Sequence, residues 1–462
     1  MIPKELNDFF EVNGRILLIK GHAGTGKTLL GLRLLNNLRS HGDILWINSR
    51  DIRPTDITGL DDIVPKESRI NATQYKVTGY SKGPEAIDLG KQMAYHSDFE
   101  LIGAIYSEIL ASEKPTVVID SYDGIITNFS KEKKEAFGVE LTELARHTKT
   151  NMIIIQESDA MDVFDYLVDG YVVLSSKEID GRRVREMLIG KLRGVEITNP
   201  KYIFTLNGGS YLHFEPYKSQ ISRKDTSLHQ KIPNRNNKYS TGSRDLDVIL
   251  DGGYPAGSFV LLEVGDNILP EAHIEFIVST ISNFIANDLA VSIIPSGGMN
   301  IKSLYSHIVP FVGEEKFNRM VRINTRSGVE EKYTSQYMGK VYEEDYKNWY
   351  ETLYNLKKTV GENKTSLQYV GYDTLETCYG DVSKGISEHV EFSKDIGDVL
   401  IGQIKPGLRI SQDLINMSDI HLKLKEMDGT VLLYGEKPRT PLYEMRIVYD
   451  RGSPEVKLTL VV

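Results

Sequence analysis

The stretch Gly21-His22-Ala23-Gly24-Thr25-Gly26-Lys27-Thr28 constrains this chain more than any other. It lies between an apolar run, Arg15 to Lys20 (RILLIK), and a Leu-rich amphipathic segment, Thr28 to Ser40. That order predicts a strand, a glycine turn and a helix. Glycines let consecutive backbone N–H groups converge on one anion, and the helix N-terminus adds its partial positive charge. The pattern G-x-x-x-x-G-K-[ST] in this setting predicts a cradle for a nucleoside triphosphate, with ATP and Mg²⁺ as the expected cofactors. The expected binding residues are Gly21, His22, Ala23, Gly24, Thr25, Gly26, Lys27, Thr28 and Leu29. Lys27 is expected to reach the β and γ phosphates, and the Thr28 hydroxyl to ligate Mg²⁺.

Phosphate-bound Mg²⁺ needs a carboxylate at the carboxyl end of a neighbouring strand. Asp120, which ends Thr116-Val117-Val118-Ile119, fits that place; the competing account is an Asx-turn that merely closes the strand. Hydrolysis also needs a residue that orients or deprotonates water. Strand ends offer Ser49, Arg50 and Asp51 after DILWIN, and Gln156 and Glu157 after NMIII, with Asp51 and Glu157 as the candidate bases.

The 462-residue length exceeds one ordinary core and, at about 150 residues per domain, suggests two or three domains, two being the starting expectation. Ile/Val-rich runs alternate with amphipathic segments up to Gln156, the pattern of a mostly parallel, buried sheet flanked by helices, with Pro84 to Ser112 read as mainly helical. Runs at Tyr171–Ser175, Val184–Lys191, Lys201–Leu206 and Tyr211–Phe214, separated by turn residues, predict an antiparallel extension. Residues 218–239 turn polar and basic and read as a linker. Beyond it, FVLLEV (Phe259–Val264) followed by Gly265-Asp266-Asn267 repeats the order strand, turn, helix, so the chain reads as a divergent tandem duplication. The net charge of -9 offers no global attraction to a polyanion. The single cysteine, Cys378, allows neither an intramolecular disulfide nor a Cys₄ zinc site. No run approaches a membrane helix, and the expected location is the cytoplasm.

The residues Gly21–Thr28, Val117-Val118-Ile119-Asp120-Ser121, Leu188-Ile189-Gly190-Lys191-Leu192-Arg193-Gly194 and Gly252-Gly253-Tyr254-Pro255-Ala256-Gly257-Ser258 resemble RecA-like ATPases of the KaiC family, including its GvpD-like members. The resemblance implies an α/β fold with two tandem RecA-like P-loop domains, each a mainly parallel sheet with an antiparallel C-terminal hairpin extension. Their expected bounds are 1–217 and 240–462. It implies that Lys191 and Arg193 act as cations on the nucleotide of the next subunit, with Lys437 and Arg439 in a similar place. It also implies self-association, as a hexameric or other ring or a dimer, and a protein partner for a regulatory ATPase. Two departures stand out. Many KaiC-like domains carry paired glutamates where this chain has Asn48-Ser49-Arg50-Asp51, and domain two lacks Gly-Lys-Thr altogether, so it is not expected to bind ATP in the usual way. Asp373 is either a relic metal-site aspartate or a plain loop residue. A RadA-like DNA-repair role is the alternative, opposed by four carboxylates in Glu157–Asp165. An ATP-binding scaffold without useful turnover is another.

Overall fold

The computed structural model describes residues 2–38, 42–49, 60–65, 68–74, 91–95, 98–219, 227–326, 330–337, 339, 341–449 and 453–462. The candidate base Asp51, with Arg50, lies outside them. The chain divides into two compact units, Met1–Glu215 with Val461–Val462, and Pro216–Leu460.

In the first unit the strands are β1 (Ile16–Lys20), β2 (Ile44–Asn48), β3 (Arg69–Gln74), β4 (Lys91–Tyr95), β5 (Thr116–Asp120), β6 (Asn151–Gln156), β7 (Gly170–Ile179), β8 (Arg182–Leu192), β9 (Lys201–Thr205) and β10 (Leu212–His213). They form one sheet in the order β10-β9-β8-β7-β1-β6-β5-β2-β3-β4. From β7 to β4 the pairs are parallel; β7 to β10 are antiparallel. The parallel strands β1, β2, β5 and β6 are buried on both faces, which is why they read as nearly unbroken apolar runs. Within β1, Leu17 and Ile19 join the core beneath the helix Lys27–Leu38, while Ile16 and Leu18 join the opposite core, under the helices Asp98–Ala111 and Lys131–Thr148. Leu30, Leu34, Leu35 and Leu38 face the sheet along the first of these helices. Truncating one fully buried leucine to alanine costs about 2–5 kcal/mol. Of the segment expected as mainly helical, Pro84 to Ser112, the described residues carry β4 at Lys91–Tyr95 and then the helix Asp98–Ala111.

In the second unit the strands are β11 (Lys238–Tyr239), β12 (Tyr254–Pro255), β13 (Phe259–Val264), β14 (Val291–Ile294), β15 (Val321–Thr325), β16 (Thr334–Gln336), β17 (Leu367–Gly371), β18 (Val399–Ile404), β19 (Ile420–Met427), β20 (Thr430–Lys437), β21 (Leu442–Val448) and β22 (Glu455–Val461). The main sheet runs β16-β15-β14-β17-β18-β13-β19-β20-β21-β22. That order repeats the first sheet strand for strand, with β13 in the place of β1, β14 of β2, β17 of β5 and β19 of β7. Both units thus present the same carboxyl-end surface for a ligand.

The segment expected as a linker is bonded to the second unit over its described part. The His229 backbone N–H donates to Phe311 O at 2.7 Å, and that of Ile232 to Asn283 Oδ1 at 2.8 Å. The sequence read as solvated because its charged residues Lys231 and Arg235 do stay exposed, whereas its backbone groups find partners.

Candidate functional site: the glycine loop and its neighbours

The loop after β1 follows the glycines. Gly21, Gly24 and Gly26 have φ values of 148°, 77° and 96°, a backbone region that side chains rarely adopt. At Gly21 a Cβ would also meet Leu174 O at 2.4 Å, so no other residue fits. The loop is pinned by the Gly21 N–H donating to Ser158 O at 3.2 Å and by the Thr25 hydroxyl donating to His22 O at 2.9 Å. Lys27, buried at the start of its helix, donates from Nζ to His22 O at 2.8 Å. His22, Ala23 and Gly24 are exposed at the loop's crown, and Leu29 packs half-buried against the core below.

Beneath the loop the Thr28 hydroxyl donates to Asp120 Oδ2 at 2.9 Å. Asp120 ends β5 and is buried at 7% exposure. A hydroxyl and a carboxylate brought together at a helix N-terminus are the protein ligands that a phosphate-bound Mg²⁺ takes. Ser49, at the end of β2, accepts the Ser121 N–H on its Oγ at 3.0 Å. Glu157 follows β6 at the same sheet edge, its backbone N–H held by Asp123 Oδ2 at 2.5 Å. Gln156, paired with Lys20 across the sheet, is buried, and its Oε1 has no partner among the described residues.

Lys191 and Arg193 are engaged elsewhere in the chain. Lys191 Nζ donates to Val168 O at 2.7 Å, Asp165 O at 3.2 Å and Tyr166 O at 3.4 Å, capping the carbonyl end of the short helix Val163–Leu167. Burial, then the neighbouring Arg193, holds its ammonium below the ordinary lysine range. Arg193 pairs with Asp169 at 3.0 Å. The second unit repeats the lysine's part: Lys437 Nζ donates to Ile415 O at 2.5 Å and Ser418 O at 3.3 Å, at the end of the helix Ser411–Met417. Arg439 pairs instead with Glu436, at 3.6 Å. In each unit the lysine thus caps the end of a short helix.

Two features escaped the sequence reading. Arg185, on β8 and 7% exposed, points its Nη2 to Gly24 O at 3.5 Å, and its Nε and Nη1 have no partner among the described residues. Burial and then Arg183 lower its pKa. Alternation did not single it out in Arg182-Arg183-Val184-Arg185: it puts Arg185 on the same face as the exposed Arg183, while Arg182 on the other face is buried as well. The second feature is Lys20, the residue before the loop. Its ammonium forms a buried ion pair with Asp165 at 2.7 Å and donates to Ala160 O at 2.6 Å, tying the loop to the acidic segment after β6.

Residues 6–190 match the family described as "GvpD gas vesicle protein, P-loop domain", and residues 228–309 match "GvpD basic region 2". Protein GvpD2 of Halobacterium salinarum is 25% identical over 496 residues, covering 100% of this chain and 96% of that protein. Protein GvpD1 of the same organism is 25% identical over 531 residues, covering 100% and 97%. The circadian clock oscillator protein KaiC of Thermostichus vulcanus is 25% identical over 283 residues, covering 56% of this chain and 51% of KaiC. The chain is a GvpD-like, KaiC-like member of the RecA superfamily of P-loop proteins. The P-loop match spans Gly21 to Thr28, Asp120, Glu157 and Arg185, and ends one residue short of Lys191. Among the described residues no helix is long and apolar enough to cross a membrane.

Proposed function

We propose that the first unit binds ATP with Mg²⁺ and hydrolyses it to ADP and phosphate, and that the nucleotide state sets how the chain assembles with further copies or binds a protein partner. The observation that carries this reading is the pair Thr28 Oγ1 and Asp120 Oδ2 at 2.9 Å under a loop that only glycines can form. When bound, Mg²⁺ would draw charge from the β and γ phosphates. Thr28 and Asp120 would hold it, the loop N–H groups would hold phosphate oxygens, and Lys27 would exchange His22 O for the phosphates. Arg185 Nε and Nη1 supply unspent donors on the loop's β8 side. Glu157 and Asp51 remain the candidate bases. Regulation fits the linkage Lys20–Asp165, because a shift of the loop is felt at once by the acidic segment and by the helix that Lys191 caps.

ATP binding and phosphate release, measured for the wild type and Lys27→Ala, test the reading. Binding and turnover in the wild type, both lost in the variant, support it. Sizing with and without ATP tests the switch, which fails if assembly and partners do not change. One observation favours a second reading, an ATP-binding scaffold: β2 ends in Asn48-Ser49 without the paired glutamates, and Ser49 Oγ already accepts the Ser121 N–H. Tight ATP binding with no phosphate release would select it.

A further inference from the structure

We infer that the second unit carries a binding site of its own, for a small organic oxyanion bearing a hydroxyl or amine donor, in the crevice at the carboxyl ends of β14, β15 and β17. Connections from β14 run one way along the sheet, to β15, and those from β17 run the other way, to β18. Diverging connections open a crevice outside the strand ends, where ligands of open α/β sheets bind. Here it encloses about 700 Å³, the size of a metabolite pocket.

Its chemistry differs from that of the glycine loop. β17 ends on Gly371, paired with Gln403, as β5 ends on Asp120, paired with Ile155. A Cβ at Gly371 would meet the Ser296 backbone at 2.3 Å, so no metal-binding side chain fits there. Asp373 is spent internally: its Oδ2 accepts from Ser296 Oγ at 2.8 Å and Gly297 N at 2.9 Å and pairs with Lys405 at 3.2 Å. Two other cations line the crevice, Lys302 and Arg326, both exposed and with no carboxylate partner among the described residues. Lys302 lies in the first turn of the helix Ile301–Val312, whose N-terminus adds positive potential.

The observation that points to a ligand is Asn324, at the end of β15. It lines the crevice at 1% exposure, and its Oδ1 has no partner among the described residues. Its Nδ2 donates to Ser292 Oγ at 3.1 Å, which leaves Oδ1 as the open end of the amide. A buried amide oxygen without a donor has lost its water and gained nothing in return. A ligand hydroxyl or amine would supply that donor while its phosphate or carboxylate meets Arg326 and Lys302.

Cys378, the chain's one cysteine, lines the same crevice, its Sγ accepting from Arg326 Nη1 at 3.4 Å. Its alkylation by iodoacetamide, followed by intact mass, therefore reports occupancy of this crevice and not of the glycine loop. The full chain is alkylated with and without glycerol 3-phosphate or malate, which share the hydroxyl and differ in the oxyanion. Alkylation in the wild type is expected to slow about tenfold when one of them is present at roughly ten times its dissociation constant. The arm that protects identifies phosphate or carboxylate. In Arg326→Ala, an exposed change whose fold is checked by circular dichroism, the ratio of rates with and without ligand should return to one. Equal wild-type rates with both compounds up to about 10 mM, weaker than any specific site of this kind, would overturn the inference, as would protection that survives Arg326→Ala.

Discussion

The Thr28 hydroxyl donates to Asp120 Oδ2 across 2.9 Å, joining the first turn of the helix after the glycine loop to the end of β5. Asparagine at 120 keeps an acceptor for that hydroxyl and removes the charge that a divalent cation needs. Asp120→Asn is therefore expected to fold like the wild type while the gain in ATP affinity on adding Mg²⁺ shrinks at least about tenfold, since even outer-shell changes at metal sites cost 10–100-fold. Titrating ATP with and without Mg²⁺ checks this. An undiminished Mg²⁺ gain would remove Asp120 from the metal site.

Arg185 sets stability against binding. A buried guanidinium with two nitrogens unpartnered among the described residues costs the free protein stability, and an unbranched apolar side chain would not. Arg185→Met is expected to raise the melting temperature without nucleotide, by about 1 kcal/mol or more in stability, and to cut the further rise that ATP produces. Thermal melts with and without ATP read both. A variant that melts lower without nucleotide would mean the arginine is satisfied after all.

How much of this was legible in the sequence follows from what each element depends on. The glycine loop, β1, β5 and β6 were readable because buried parallel strands are apolar throughout and glycine at positive φ has few substitutes. β4 was not readable: Lys91-Gln92-Met93-Ala94-Tyr95 is a polar edge strand without the period-two signal that a half-buried strand carries. The pair Thr28 and Asp120 followed from the motif, whereas Arg185 and Lys20–Asp165 depend on which strand β8 lies beside and how the acidic segment folds back. Those contacts span 161 and 145 positions and leave no local trace. The lysine of the Lys-x-Arg pair was visible, but its capping of a helix end was not, because a five-residue helix rich in β-branched and aromatic residues gives little helical signal.

The Lys20–Asp165 pair, with each side chain 1% exposed, gives a third outcome. Removing one partner leaves an uncompensated buried charge, so Lys20→Met or Asp165→Asn should destabilise the first unit by about 3–5 kcal/mol. Asp165 Oδ2 also accepts the Asp162 N–H at 2.7 Å, so the aspartate change should cost more than the lysine change. The double change Lys20→Met with Asp165→Asn should recover part of the loss. Denaturant melts of the single and double variants measure the coupling, and additive losses would show that the two groups do not act as a pair.

His389 gives the second unit a pH dependence with a definite sign. It is fully buried, its Nε2 faces Gln368 Oε1 at 2.9 Å, and burial pushes its imidazole down to about 4. The unfolded chain takes up a proton near pH 6.5 that the folded chain refuses until about pH 4. The folded state's advantage is therefore complete above about pH 6.5 and is lost as pH falls toward 4, with a slope on the order of 1 kcal/mol per pH unit. His273 is lowered to about 4 as well, by burial and then by Lys405, and adds to the same slope. Between pH 6.5 and 5, above the range of most carboxylates, His389→Gln should flatten the dependence by roughly a third to a half, since His273 and His229, both lowered by burial, carry the rest, while retaining a polar side chain toward Gln368. Melting the two proteins across that interval decides it, and parallel slopes would place the proton uptake elsewhere.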